Sequence, residues 1–137
     1  MSGGVVHTGS CLCGAVHLSI RQKLRGIHAC HCSQCRKQTG HFAVAGSAPR
    51  EAITIEGADQ LSWFASSPGI RRGFCRTCGA HMIWDDPAWS ELSINLGCLD
   101  APTDLVLESH IYCADKGDYY PISDDLPQYP GAEENDG

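Results

Sequence analysis

At 137 residues and 14.7 kDa the chain holds one domain, since a second could not bury a core of its own. Its 42% hydrophobic and 19% charged residues are those of a globular protein, and no uninterrupted apolar run approaches the ~18 residues a membrane span needs. Residues 114–137 set seven acids (Asp115, Asp118, Asp124, Asp125, Glu133, Glu134, Asp136) against Lys116 alone, which accounts for the whole net charge of −6; the neutral remainder attracts polyanions little, so neither a nucleic-acid nor a membrane partner is expected.

The N-terminal Met-Ser-Gly-Gly-Val-Val-His lacks the basic and apolar regions of an export signal, so a reducing, cytoplasmic setting is expected. Val16, Leu18 and Ile20 alternate with His17 and Ser19, the period of a half-buried strand. A turn or two of helix is expected over residues 33–38, with Gly40 available to end it. Phe42 and Val44 open a strand before Gly46, and Ile53 and Ile55 flank Thr54. Further strands are expected at residues 61–64 and 80–84, and where Leu92, Ile94 and Leu96 alternate with Ser93 and Asn95; residues 106–113 close the series. Turn-forming clusters at 46–49, 66–69 and 85–87 separate these segments. From about residue 114 the pattern gives way to an irregular acidic tail, expected to pack through Tyr119, Tyr120 and Tyr129 and to fray beyond Gly131. Trp63, Trp84 and Trp89 read as core or rim aromatics, since no basic stripe accompanies them. The expectation is a single mostly-β domain over residues 1–137, with little helix and no internal repeat.

Nine cysteines are the unusual feature: Cys11, Cys13, Cys30, Cys32, Cys35, Cys75, Cys78, Cys98 and Cys113. An odd count without an export signal argues against a disulfide framework, and clustered thiols in a reducing setting read as metal ligands. Cys11-Leu12-Cys13-Gly14 and Cys75-Arg76-Thr77-Cys78-Gly79 each end in glycine, which lets the backbone take positive φ and turn N–H groups towards the sulfurs. Together they supply the four sulfurs of a closed tetrahedral zinc site. The plainer reading is two unrelated pairs of buried thiols or disulfides.

Cys30-His31-Cys32-Ser33-Gln34-Cys35 differs, with three thiols in six residues and no glycine directly after the last. A turn at Ser33-Gln34 could fold the three sulfurs onto one centre. Three ligands with an open fourth place make a reactive rather than a structural zinc. A nearby histidine (His28, His31, His41 or His81) would instead complete the coordination and leave the site structural, and metal-free redox thiols are a further alternative. His31 points away from its flanking cysteines if the segment is extended, so it reads as a surface or hydrogen-bonding residue. Arg36 and Lys37 would offset thiolate charge, lower thiol pKa values or meet a substrate carboxylate. Arg71-Arg72 either ends a solvated strand or places a guanidinium near the metal sites. Cys98 and Cys113 stand alone in apolar strand patterns and read as small buried hydrophobes.

Ser10-Cys11-Leu12-Cys13-Gly14-Ala15-Val16, then Cys30-His31-Cys32-Ser33-Gln34-Cys35-Arg36-Lys37-Gln38-Thr39-Gly40, then Arg72-Gly73-Phe74-Cys75-Arg76-Thr77-Cys78-Gly79 resemble the glutathione-dependent formaldehyde-activating (GFA) family, which includes centromere protein V. Gly97-Cys98-Leu99-Asp100, His110-Ile111-Tyr112 and Ser123-Asp124-Asp125-Leu126-Pro127-Gln128-Tyr129-Pro130 agree, so the likeness runs from about residue 9 to 130. The resemblance implies a β-tent, built of small antiparallel sheets organised around zinc. It implies Cys11, Cys13, Cys75 and Cys78 as structural zinc ligands, and Cys30, Cys32 and Cys35 as the catalytic group at a second, labile zinc. The activity it implies is that of a carbon–sulfur lyase condensing glutathione with formaldehyde to S-(hydroxymethyl)glutathione. Arg36, Lys37 and Arg72 are candidate holders of the glutathione carboxylates, without a motif of their own. A non-catalytic zinc scaffold and a thiol redox or metal-handling protein are the alternatives.

Overall fold

In the computed structural model, which describes residues 4–133, the chain forms ten strands and one α-helix among the described residues. In chain order these are β1 (His7–Ser10), β2 (His17–Ile20), β3 (Arg25–Cys30), α1 (Ser33–Thr39), β4 (Ala43–Pro49), β5 (Ile53–Glu56), β6 (Leu61–Ser67), β7 (Ile70–Cys75), β8 (His81–Asp85), β9 (Glu91–Asn95) and β10 (Ser109–Ile111). They pair into a three-stranded sheet, β1-β2-β5, and a seven-stranded sheet, β10-β3-β4-β9-β8-β7-β6. Every strand pair is antiparallel except β10 with β3, which is parallel. The molecule is thus mostly β with little helix, as expected, though the larger sheet has seven strands and is antiparallel except for the β10–β3 pair.

The core lies between the sheets. Val16, Leu18 and Ile20 of the small sheet and its approach pack with Ile27, Met82, Ile83 and Ile94 of the large one. Burial of such side chains contributes roughly 1.5–3 kcal/mol each, and it fixes which way the large sheet faces. On β4, Val44 and Ala48 belong to the core side, and Gly46 lies there because a Cβ would stand 2.4 Å from Ile27 Cδ1. Ala43, Ala45 and Ser47 therefore point to the opposite face. Register carries this across the sheet: Cys30 pairs with Ala43, His28 and Asn95 with Ala45, and Ser93 with Ser47 and Trp84. The outer face is paved with small side chains at its centre.

The helix forms where local signals place it. Cys32 caps its start, and Gly40, at φ 91°, ends it with its N–H on the Arg36 carbonyl. Strands at β1 and β3 were not expected, and β7 only as a strand ending at Arg71-Arg72, because His7-Thr-Gly-Ser, Arg25-Gly-Ile-His-Ala-Cys and Ile70-Arg-Arg-Gly-Phe-Cys carry polar residues and glycines that obscure a period-2 pattern. Pairing partners supply what their own propensity does not. Leu96 falls in a 3-10 turn rather than in β9, and β10 keeps only three of the residues expected at 106–113. The tail does pack: the Tyr129 N–H donates to the His110 carbonyl (2.9 Å), and the Tyr112 N–H donates to Gly131 (2.8 Å), covering the outer edge of β10. Ser109 Oγ donates to Glu133 at 2.6 Å, so the chain is tied down to that residue, two positions past Gly131 where fraying was expected to begin; residues 134–137 lie outside the described residues.

Candidate functional site

The structure brings the two glycine-ended cysteine pairs together. Gly14 (φ 84°) and Gly79 (φ 79°) both take the left-handed conformation, and they fold each pair into a knuckle. The Val16 N–H donates to Cys11 Sγ (3.3 Å), and the Thr77 and Cys78 N–H groups to Cys75 Sγ (3.4 and 3.5 Å). Cys13 Sγ lies 3.7 Å from both Cys11 Sγ and Cys75 Sγ, and all four sulfurs stand within 4.8 Å of one another. A tetrahedron with ~2.3 Å zinc–sulfur bonds has edges of about 3.8 Å, so the quartet fits such an ion. Backbone N–H groups of Ala80 and Cys13 pull the Cys78 thiol down to about 6. The quartet draws Cys11 and Cys13 from the β1–β2 turn, Cys75 from the end of β7 and Cys78 from the turn before β8, and so fastens one sheet to the other.

Cys30, Cys32 and Cys35 form the second group, with sulfurs within 4.8 Å of one another. No fourth histidine, cysteine, aspartate or glutamate joins them among the described residues. Cys30 ends β3. Cys32 is the helix N-cap and accepts the Cys35 N–H at 3.3 Å, while Cys35 is buried in the first turn. Hydrogen bonds from the Cys30 and Cys35 thiols, with backbone N–H groups, hold Cys32 far below the usual thiol range; donating to Cys32 and Cys35 pushes Cys30 up.

Arg72 is the cation of this group. It is 4% exposed, and its guanidinium donates to Cys35 Sγ (3.4 Å), Gln38 Oε1 (3.1 Å), Gln34 Oε1 (3.2 Å) and Ser66 Oγ (3.2 Å). No carboxylate pairs with it among the described residues. A buried guanidinium needs a counter-charge, and it meets the trio, whose low-pKa thiol is Cys32, through Cys35 Sγ. Four of its five N–H donors are engaged, which leaves one on Nη2 for something else.

The sulfurs open on a cavity of about 780 Å³ that lies over the outer face of the large sheet. Its floor is Ala43, Ala45, Ser47 and Ser93, whose small side chains leave the space; Arg72, His81 and Trp84 stand around it. Arg36 and Lys37 do not line it, so of the three cations anticipated for a substrate Arg72 alone does. Trp63 lies at the rim of the fold beneath the Arg71 guanidinium (3.8 Å), and Trp84 meets Trp89 edge-on at 6.4 Å. Cys98 and Cys113 are half-buried, and burial pushes Cys98 up to about 11.

His31 points away from its neighbours, but into the interior. It is 1% exposed, and burial lowers its pKa to about 4. Asp124 can only accept, so His110 Nε2 donates to it, and the chain of bonds is ordered from that end. Tyr120 Oη donates to His31 Nδ1, His31 Nε2 donates to His110 Nδ1 (2.9 Å), and His110 Nε2 donates to Asp124 (2.9 Å). Sequence reasoning did not find this network. His110 and Asp124 stand in two of the quoted motifs, but nothing local joins positions 79 apart. Gln34 and Gln38 were also missed, though their i, i+4 spacing about Cys35 could have revealed a shared helix face.

One closed set of four cysteines, one open set of three and a cavity over the open set define a small β-protein with two groups that could hold metal ions. Residues 6–115 match the family described as "Glutathione-dependent formaldehyde-activating enzyme", and the chain belongs to it. A protein of Aspergillus terreus named "Putative glutathione-dependent formaldehyde-activating enzyme" is 37% identical over 70 residues, 50% of this chain and 37% of that protein. One of Aspergillus flavus with the same name is 36% identical over 77 residues, 53% and 40% of the two chains. The match thus spans about two fifths of the length of these curated relatives. The crystal structure of a Rhodobacter sphaeroides protein superposes with a TM-score of 0.61 at 25% identity, over 88% of this chain and 98% of that one.

Proposed function

We propose that this chain is a zinc-dependent carbon–sulfur lyase that joins glutathione, or a related thiol, to an aldehyde such as formaldehyde. Cys11, Cys13, Cys75 and Cys78 hold the structural ion, and Cys30, Cys32 and Cys35 are the catalytic set. The observation that carries this reading is an open thiol trio on the wall of a cavity, with buried Arg72 as its counter-charge. Zinc at the trio, when bound, supplies a lowered thiol pKa and Lewis acidity.

The chain's own residues do the rest. The floor of small side chains admits the thiol-bearing end of the substrate to the three sulfurs. Arg72 balances the negative charge that collects there. Its free Nη2 hydrogen is available to a substrate carboxylate, or to the alkoxide that develops when sulfur attacks the carbonyl carbon. Arg36 and Lys37 stand off the cavity, so carboxylate recognition rests on Arg72 in this reading. Because thiols add to formaldehyde unaided, the test is a rate of exchange. Two-dimensional exchange NMR on an equilibrated glutathione–formaldehyde mixture should show faster interconversion of free and adducted glutathione with the protein than without it, and none of that gain with Cys32→Ser. An exchange rate that the wild-type chain, loaded with two equivalents of zinc, leaves unchanged would remove the reading.

A further inference from the structure

We propose that His31, His110 and Asp124 are positioning residues of the thiol trio: their chain of hydrogen bonds fixes the bend between β3 and α1 on which Cys30 and Cys32 stand. The assignment rests on reading the trio as a metal-holding catalytic set and adds the residues that keep it in shape. β3 ends at Cys30 and Cys32 caps α1, so His31 alone makes the passage from strand to helix. Residues two positions apart on an extended strand are separated by about 6.6 Å, whereas the Cys30 and Cys32 sulfurs stand within 4.8 Å of each other. A segment free to straighten would draw them apart.

The His31 side chain holds the bend from the side away from the cavity. None of His31, His110, Tyr120 or Asp124 lines that cavity, so none touches a substrate held there. The His31 ring is 1% exposed, and both of its nitrogens are bonded, to Tyr120 Oη and to His110 Nδ1 (2.9 Å). His110, 4% exposed, passes the chain to Asp124 (2.9 Å), whose Oδ1 accepts the Leu126 N–H at 3.0 Å. Backbone bonds clamp the same place: the His31 N–H donates to the Ile111 carbonyl (3.0 Å), and the His110 N–H to that of Pro127 (2.9 Å). The bend is thus held by β10 and the tail, both distant in sequence.

An apolar ring would serve if filling space were the whole role. Phe42 lies beside His31 with ring centroids 4.8 Å apart, so a phenylalanine there would have an aromatic neighbour and bury no polar atom. What an apolar ring lacks is direction: two hydrogen bonds hold an imidazole in one orientation, and packing alone does not. Asp124 only accepts, so it sets the tautomer of His110, and His110 in turn sets that of His31. Outer partners that orient metal ligands are typically worth roughly 10–100-fold in metal affinity. The quartet shares none of these residues and is therefore an internal reference.

The test is a competitive zinc titration of the reduced full chain against a chromophoric chelator, which reads two zinc equivalents separately. Cys32→Ser and Cys75→Ser, each missing one equivalent, assign them to the trio and the quartet. His31→Phe and Asp124→Ala should each weaken the trio's equivalent by roughly 10-fold or more, with the quartet's unchanged. Asp124→Glu, which keeps a carboxylate acceptor, should recover part of the loss. Trio affinity within about twofold of the wild type in either variant overturns the proposal. So does an equal loss at both sites, the mark of a merely structural role, and so does a wild-type chain that takes one equivalent only. If His31→Phe does not fold, Asp124→Ala and Asp124→Glu decide. The expected affinities in a chain that leaves the glutathione–formaldehyde exchange rate unchanged remove the lyase reading alone; a wild-type gain in that rate with unaltered trio affinity in the variants removes this proposal alone.

Discussion

Replacing one ligand in each cysteine group separates architecture from chemistry. Cys13 and Cys75 stand 62 positions apart with their sulfurs 3.7 Å apart, so an unfolded chain can assemble the quartet only by closing a long loop, at about 4 kcal/mol. The trio spans only residues 30–35 and closes for about 2 kcal/mol, so an unfolded chain keeps much of its hold on a metal there. A metal stabilises the fold only by the difference between its binding to the folded and the unfolded chain. The quartet's advantage is therefore about 2 kcal/mol before its fourth ligand is considered. At about 3 °C per kcal/mol for a chain of this size, Cys75→Ser should lower Tm by at least ~6 °C more than Cys32→Ser. Thermal melts followed by far-ultraviolet circular dichroism in stoichiometric zinc make the comparison, with metal content confirming one equivalent lost from each variant. Equal shifts, or a larger one for Cys32→Ser, would refute the division into a structural and a reactive group.

Arg72→Met removes the guanidinium that favours the Cys35 thiolate, so Cys35 should be alkylated about tenfold or more slowly at pH 7 in metal-free, reduced protein, as peptide mapping would reveal; an unchanged rate removes Arg72 as counter-charge. Because the folded state holds His81 neutral down to about 4 while an unfolded histidine protonates near 6.5, the unfolded chain binds the extra proton, and stability falls as pH drops through that window by at most about 1.4 kcal/mol per unit. Urea melts at pH 7, 6 and 5 should therefore give a shallower decline in His81→Gln than in the wild type, and parallel slopes contradict the ring's neutrality. Asp124→Asn should leave the quartet intact but loosen the His31–His110 bond, so that the His31 and Cys32 amides exchange with solvent faster than in the wild type; unaltered protection there means that the network does not hold the trio.

The sequence was most legible where structure is local or one-faced. The helix between Cys32 and Gly40 is set by its cap and its terminating glycine, and β2 and β5 by the alternation that burying one face of the small sheet demands. The knuckles were legible for the same reason: a glycine after the second cysteine serves the sulfurs a few atoms away. What stayed hidden depends on partners distant in the chain. β7 reads as polar because Arg72 goes inward, and it goes inward because Gln34, Gln38 and Cys35 wait there on another element. His31 reads as a surface or hydrogen-bonding residue, and only its distant partners His110 and Tyr120 place it in the interior. His81 carries no local signal, since only the pairing of β8 with β7 and β9 brings it to the cavity wall.

The two cysteine groups differ finally in how their charge is answered. The knuckles meet thiolate charge with short-range backbone donors on Cys11, Cys75 and Cys78, which cannot be withdrawn while the turns exist. Four thiolates around a dication leave two negative charges, and fixed peptide dipoles are suited to that unchanging load. Three thiolates would leave one, which Arg72 would cancel, so in the proposed reading the open group would be close to neutral with its ion bound. An incoming thiolate would restore a single negative charge to a site with an uncommitted Nη2 donor beside it, whereas without the guanidinium the same arrival would bring two into a half-buried wall. Low-dielectric surroundings make that difference steep. In the proposed reading, the arginine inside a polar cradle, facing sulfur and no carboxylate among the described residues, would allow the trio to accept another ligand where the quartet would not.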